Sequence, residues 1–155
     1  WLEFRRVLFR SRLTDKIKPS KIFMGEKDFQ QIILVKKFVE KNFQSKVISC
    51  KTIRDKNRLA LSSRNLLLNQ VNLTKAGKIA RELITFKKKL FKKKVSKNLI
   101  FRKKMEIEKN YMINIEYLEM RNSRNLKVTY NTNDSKIFIA YYLNKIRLID
   151  NFWLL

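Results

Sequence analysis

Apolar and polar positions alternate in two rhythms along this chain, and each rhythm predicts a different element. Lys21–Met24 is a short apolar run after Pro19, ended by Gly25, and reads as a strand. Asp28 to about Asn42 carries Phe29, Ile32, Ile33, Val39 and Phe43 near helical spacing. Lys46–Cys50 is a second strand. Strand, helix and strand at this spacing predict a βαβ unit, and parallel strands of that kind imply an α/β sheet. After Arg54 comes the polar loop Asp55-Lys56-Asn57-Arg58, then Leu59–Asn65. Asn69 can cap a long helix reaching about Lys94, with Leu73, Ala76, Ala80, Leu83, Ile84, Leu90 and Phe91 as its apolar stripe. Residues 95–112 read as a second helix or as a basic connector. Asn114–Arg121, Ile137–Tyr142 and Ile146–Ile149 read as strands. Leu143-Asn144-Lys145 joins the last two, and Asn suits the positive-φ position of a tight turn. The second half is therefore expected to be helical with a small antiparallel sheet, without internal repeats.

Composition removes several chemistries. The 155 residues contain no histidine, which excludes His-based zinc sites, Ser-His-Asp and Cys-His nucleophiles, and imidazole acid–base catalysis within this chain. The single cysteine, Cys50, excludes an internal disulfide framework and a cysteine-cluster metal site. A reduced compartment such as the cytoplasm fits this usage. No apolar run approaches the ~18–20 residues of a membrane span. At 45% hydrophobic the chain can bury a core, so it is not a disordered basic tail.

Charge opens three readings. With 37 Lys+Arg against 13 Asp+Glu the formal net charge is +24. Lys87-Lys88-Lys89 and Lys92-Lys93-Lys94 flank Leu90-Phe91, and Arg102-Lys103-Lys104 follows. Such a charge suits a basic nucleic-acid-binding module, through counterion release from phosphates, or an anionic membrane surface. It also suits AT-rich coding, since Lys (25), Asn (14), Ile (16) and Phe (11) abound while Gly (2) and Pro (1) nearly vanish. No RNA-recognition motif, zinc finger or Gly-rich nucleic-acid loop accompanies the basic runs.

Residues 1–11 stand apart. Four of the 12 Arg lie within residues 1–12, and no Lys does. The segment reads as a foreign or read-through end or, in the alternative, as a basic amphipathic start. With no initiator Met, the chain is expected to begin inside a longer protein.

Two segments carry candidate chemistry. Gly25-Glu26-Lys27-Asp28-Phe29-Gln30-Gln31 stands at the C-terminal end of a strand and opens a helix, where open α/β sheets bind ligands. A helix start offers N–H groups and partial positive charge to phosphate. Gly25 admits close approach to the backbone, Lys27 adds a cation, Asp28 can accept from ribose hydroxyls, and Gln31 lies one turn beyond Lys27. A capped helix with solvated charges is the alternative. Leu61-Ser62-Ser63-Arg64-Asn65 sets two hydroxyls before a guanidinium, a clamp for phosphate oxygens or simply a Ser turn before the next helix.

These segments occur in order with Thr52-Ile53-Arg54, Leu59-Ala60 and Arg147-Leu148-Ile149-Asp150-Asn151. Over about residues 12–151 the chain resembles the C-terminal half of the pantothenate synthetase (pantoate–β-alanine ligase) family, and Tyr117-Leu118-Glu119 and Leu126 resemble the strand before its last motif. The resemblance implies an α/β fold: the C-terminal end of a Rossmann-like nucleotidyltransferase domain (12–59), then a small α+β lid domain with a short antiparallel sheet (60–155). It implies an ATP-dependent ligase that joins pantoate to β-alanine through a pantoyl adenylate, releasing pyrophosphate and AMP. Gly25, Glu26, Lys27 and Asp28 match the first ATP segment, with Lys27 at phosphates and Asp28 at ribose. Gln31 matches the pantoate-binding glutamine. Ile53 matches the residue whose backbone meets adenine, and Leu61, Ser62, Ser63 and Arg64 match the mobile loop that grips the triphosphate. ATP with Mg2+ is the implied nucleotide substrate, with no metal held by the chain's own residues. Pantoate and β-alanine are the other implied substrates. Neither a membrane nor nucleic acid is implied as a partner. The full-length protein is implied to be a cytoplasmic homodimer.

Three departures stand out. The family's loop usually carries Asp-Gly before Leu-Ala, where this chain has Asn57-Arg58, and Leu61 replaces a common Met. The family's N-terminal half holds a His-x-x-His motif that binds ATP and a further pantoate-binding glutamine. A chain with no histidine lacks that half, so no catalytic residue is assigned here and the fragment alone is expected to be inactive. A basic nucleic-acid-binding module and a decayed fragment kept as an interaction surface are the competing readings. A truncated parallel sheet would expose an edge and an apolar face, so marginal stability or aggregation is expected.

Overall fold

The computed structural model describes residues 2–91 and 94–154, with side chains from residue 7 onward. Trp1 of the Arg-rich start, and Lys92 and Lys93 of the basic run, lie outside the described residues. The chain divides into two compact units, one up to Thr52 and one from Ile53.

The first unit is the βαβ element with a helix before it. α1 spans Leu2–Ile17 and β1 Lys21–Gly25. A 3-10 turn over Glu26–Asp28 leads into α2, Phe29–Asn42, and β2 is Lys46–Cys50. β1 and β2 pair in parallel, from Lys21 opposite Lys46 to Gly25 opposite Cys50. Met24, Ile32, Val35, Val39 and Val47 form the core, with Val7, Ile22 and Phe43 packed on it. Val35 belongs to the buried face that the sequence pattern assigned to Ile33, which is only half-buried. Ile32, Val35 and Val39 recur at three and four residues, so they share one side of α2. α1 passes residue 11 without a break, so the Arg-rich start and the following residues form one helix.

The second unit packs two helices on a three-stranded antiparallel sheet. α3 is Gln70–Leu90, α4 Lys97–Tyr111, β3 Asn114–Asn122, β4 Ser135–Leu143 and β5 Ile146–Trp153. The sheet order is β3-β4-β5, with every neighbour antiparallel. Asn69 caps α3 as expected, its side chain accepting from the Asn72 N–H at 2.9 Å. Ser96 caps α4 in the same way, which settles residues 97–111 as a helix. The buried stripe of α3 runs through Ala76, Ile79, Ala80, Leu83, Phe86 and Leu90, while Phe91 of the expected stripe is exposed. These pack with Ile107 and with Ile115, Met120, Ile137 and Ile139 of the sheet. Asn144 turns β4 into β5 with φ 53°, the left-handed backbone expected of it. Leu126 lies beyond β3 rather than in it, also at positive φ.

The sequence reading placed a boundary between residues 59 and 60. Leu59 and Ala60 instead belong wholly to the second unit: Leu59 is buried in its core, and Ala60 bridges antiparallel to Arg54. Residues 53–61 thus form a small hairpin. Leu61 N–H donates to Ile53 O at 3.0 Å, and Asp55 N–H to Leu59 O at 2.9 Å. The Asp55 carboxylate ties the turn by accepting from the N–H groups of Asn57 (2.8 Å) and Leu59 (2.9 Å). The turn seats on α3 at Gly77, where an added Cβ would stand 2.7 Å from Asn57 Cβ.

Candidate functional site

The first candidate segment occupies the end of β1 and the start of α2. Gly25 has φ −70° and ψ 131°, ordinary extended backbone, so the turn does not demand a glycine. A Cβ there would meet nothing within 4 Å, so the property left to Gly25 is open space above the chain. Asp28 precedes α2 but accepts no capping hydrogen bond, which sets aside the reading of a self-capped helix. Glu26 is turned towards β2, where its carboxylate accepts from Ser49 Oγ at 3.1 Å. Lys27 sits half-buried between them.

Gln31 is the most constrained of the group. It is 6% exposed, and its Nε2 is buried with no hydrogen-bond partner among the described residues. It lines a cavity of about 400 Å³ together with Leu13, Ile17, Phe23, Gly25 and Asp28. A buried amide donor without an acceptor is costly unless something else fills that role. The cavity wall is mostly apolar, with Arg10, Lys21 and Asp28 as its charged members, a combination suited to a small polar molecule with apolar substituents.

The second candidate segment lies in the other unit. Ile53 and Leu61 face each other across the hairpin and are 71% and 53% exposed. Ser62 then caps the 3-10 helix Ser63–Leu67, its Oγ accepting from the Arg64 N–H. Ser63 is exposed. Arg64 Nη1 donates to Arg147 O on β5 at 3.0 Å, leaving the rest of the guanidinium fork for other acceptors. Asn65 Nδ2 donates to Ala60 O at 3.1 Å and ties the segment back to the hairpin. The turn reading of Leu61–Asn65 is thus present in the structure, and the turn orders Ser62, Ser63 and Arg64, the residues of the clamp reading.

Two residues without an assigned role are central to this geometry. Arg54 forms a bidentate pair with Asp150, Nη1 to Oδ2 at 2.7 Å and Nη2 to Oδ1 at 2.9 Å. Both were visible as parts of ordered motifs, but nothing in sequence spacing signalled that they meet. The cationic side of this region is reinforced by Lys87, whose ammonium is held below its usual range by burial and then by the charges of Arg54 and Lys88. On the far side of the sheet Arg147 grips Glu116 through Nε at 2.6 Å and holds that carboxyl below its usual range.

Comparison with known proteins decides what these segments belong to. The family model described as pantoate-beta-alanine ligase matches residues 6–153. The chain belongs to the pantoate–β-alanine ligase family. It is 37% identical over 144 residues to a pantothenate synthetase of Flavobacterium psychrophilum, covering 90% of this chain and 51% of that protein. Over 145 residues it is also 37% identical to the pantothenate synthetase of Buchnera aphidicola, covering 90% and 50%. Among solved structures it is similar to pantothenate synthetase from Thermus thermophilus, at TM-score 0.86 and 25% identity over 96% of this chain and 54% of that one. A pantoate-beta-alanine ligase from Francisella tularensis, complexed with beta-gamma ATP and beta-alanine, aligns at TM-score 0.71 and 28% identity, over 96% and 49%. The chain spans about half the length of the curated ligases it matches. Residues 6–11 of the Arg-rich start fall inside the family match. The α/β fold with a small three-stranded antiparallel sheet is that of the family. Among the described residues no helix is long and apolar enough to cross a membrane, and no three His, Cys, Asp or Glu side chains gather as a metal site.

Proposed function

We propose that this chain supplies the C-terminal half of a cytoplasmic pantoate–β-alanine ligase. The first unit is the end of a Rossmann-like nucleotidyltransferase domain and the second its lid. The observation that carries the reading is Gln31: its buried amide donor has no partner among the described residues, and the residue lines a cavity with Gly25 and Asp28. Pantoate offers what that donor lacks, carboxylate and hydroxyl acceptors on a branched apolar body.

In the proposed reaction a pantoate carboxylate oxygen attacks the α-phosphorus of ATP, and pyrophosphate leaves. The β-alanine amine then attacks the acyl carbon of the pantoyl adenylate, and AMP leaves. This chain's part is positioning and charge stabilisation. Lys27 meets phosphate oxygens, Asp28 the ribose hydroxyls, and the Gly25–Glu26 backbone lies against the nucleotide. The Ile53 backbone meets adenine. Leu61, Ser62, Ser63 and Arg64 grip the triphosphate, with Arg64 offering the nitrogens not given to Arg147. Mg2+ enters with the nucleotide, carried by its phosphates.

The other half of the machinery, including the His-x-x-His segment, is proposed to come from the part of the family that this chain does not span, and the complete protein is proposed to be a homodimer. Alone, this chain should not form the adenylate. The test is pantoate-dependent exchange of pyrophosphate into ATP, measured with the chain completed by the first half of the Buchnera aphidicola relative. Exchange that requires pantoate and is lost in Gln31→Ala supports the reading. Its absence, or its persistence without pantoate, overturns it.

A further inference from the structure

Arg54 makes more directed bonds than any other side chain near the hairpin. Nη1 donates to Asp150 Oδ2 at 2.7 Å and to Arg58 O at 3.0 Å. Nη2 donates to Asp150 Oδ1 at 2.9 Å and to Asn151 O at 3.2 Å. The guanidinium also stacks over Phe152, 4.4 Å from the ring centroid. Its side chain is 17% exposed and that of Asp150 only 6%. Asp150 is fixed in turn: it lies in β5 opposite Ile139, and its Oδ1 accepts from the Asn151 N–H at 2.8 Å.

A buried ion pair of this kind is a weak source of stability, because desolvation offsets most of the attraction. What a bidentate fork supplies is direction, since two parallel bonds fix the plane and angle of the guanidinium. Here the fixed direction runs from β5 to the first arm of the hairpin, which carries Arg54, and to the turn at Arg58 O. Arg54 bridges Ala60, and its neighbours Ile53 and Leu61 are joined by the Leu61 N–H to Ile53 O bond. Arg58 O, at the turn, is held by the same guanidinium. The exposed residues expected to meet nucleotide, Ile53 and Leu61–Arg64, flank the point that Arg54 pins. Arg64 is tied to the same strand through Arg147 O.

We propose that Arg54 and Asp150 are positioning residues for the nucleotide, holding the Ile53 backbone and the start of the Leu61–Arg64 segment at a set height on β5. This rests on the ATP reading given above. It assigns a role to two residues that the ATP reading does not itself place against the nucleotide.

The experiment uses the chain completed by the first half of the Buchnera aphidicola relative, as parent, and two variants of it, Arg54→Lys and the apolar pair Arg54→Met/Asp150→Leu. Two quantities are read: hydrogen exchange at the Leu59 and Leu61 amides, and the ATP dissociation constant by equilibrium titration. The apolar pair should fold cooperatively, since apolar replacement of a buried ion pair is often neutral. Its Leu59 and Leu61 amides should exchange at least about tenfold faster, while those of Ile79 and Ile139 stay unchanged, and its ATP dissociation constant should rise about tenfold. Arg54→Lys keeps the charge but not the fork, so it should move both quantities in the same direction and by less. It also serves if the apolar pair does not fold. Unchanged exchange in the folded variants overturns the assignment. So does an ATP affinity equal to that of the parent chain. If the parent chain itself binds no ATP while the exchange arm behaves as expected, the nucleotide reading has failed and the assignment falls with it, a result distinct from a parent that binds and variants that bind equally.

Discussion

The two units complete their sheets to very different degrees, although each leaves large apolar side chains exposed, Ile17 and Phe23 in the first and Leu66, Val71 and Met112 in the second. The second closes on itself: β4 is buried along nearly its whole length between β3 and β5, and α3 and α4 supply a continuous core. The first has one parallel strand pair, and its strands and helices leave Phe9, Leu13, Ile17, Phe23, Leu34 and Phe38 exposed. The difference follows from connectivity. Antiparallel strands pair through short turns and complete a sheet locally, whereas parallel strands need crossovers and are usually covered on both faces. A two-stranded parallel sheet is short for this kind of architecture, which ordinarily continues into further parallel strands.

The sharpest way to break that contrast is to separate the units. Residues 53–155 expressed alone should show a cooperative thermal transition, and residues 1–52 alone should show none by circular dichroism. A cooperative first unit would show that its exposed apolar face costs it little. Next in size is a matched truncation. Ile139→Ala in the sheet of the second unit should cost about 4 kcal/mol, and Ile32→Ala on α2 about 2 kcal/mol, because an open site collapses more readily around a cavity. Equal costs in denaturant titrations would remove the distinction.

A smaller effect tests local strain in the closed unit. Arg58 has φ 69°, a backbone that favours glycine, and it stands where the family usually carries Gly. Arg58→Gly should raise the stability of the second unit by about 0.5–1 kcal/mol, the left-handed penalty less the added chain entropy. No gain in denaturation midpoint would mean that the four-residue turn tolerates Arg without cost. The smallest effect concerns alkaline pH. Burial, then the Glu82 carboxylate that accepts its hydrogen bond, pushes the Tyr111 hydroxyl up to about 12. In the unfolded chain it ionises near 10. Its contribution is therefore whole below pH ~10 and lost as pH rises towards 12. Tyr111→Phe should make the alkaline decline of the second unit shallower. Tyr117 and Tyr141, raised by burial in the same direction, keep part of the slope. An identical decline in the variant would exclude Tyr111 as a source.

Much of this fold was legible in the sequence because local chemistry decided it. The cap at Asn69, the turn at Asn144 and the two strands around α2 each rest on neighbours a few residues apart. The phase of each helix was less so. Ile33 and Val35 are both apolar, and only packing decides which faces the core; the same holds for Phe86 on α3 and Phe91 just past its end. Residues 95–112 stayed ambiguous because charged and apolar positions are nearly equal in number and interleaved, and Ile100 and Ile107 are the positions that join the core with α3. The Arg54–Asp150 pair could not be read at all: its partners are 96 positions apart, and each looks like an ordinary surface charge in its own segment.

Gly77 ties sequence change in one place to tolerance in another. It stands inside α3, where alanine would favour the helix by about 1 kcal/mol, yet an added methyl would press on Asn57. Arg81, one turn on, donates to the Asn57 carbonyl at 3.3 Å and fastens the same spot. Positions 57, 77 and 81 therefore form a single packing unit. A bulkier residue on the helix becomes acceptable only if the turn shortens or moves, and a turn with one more residue would lose the notch it sits in. Any redesign of this loop has to begin on the helix beneath it.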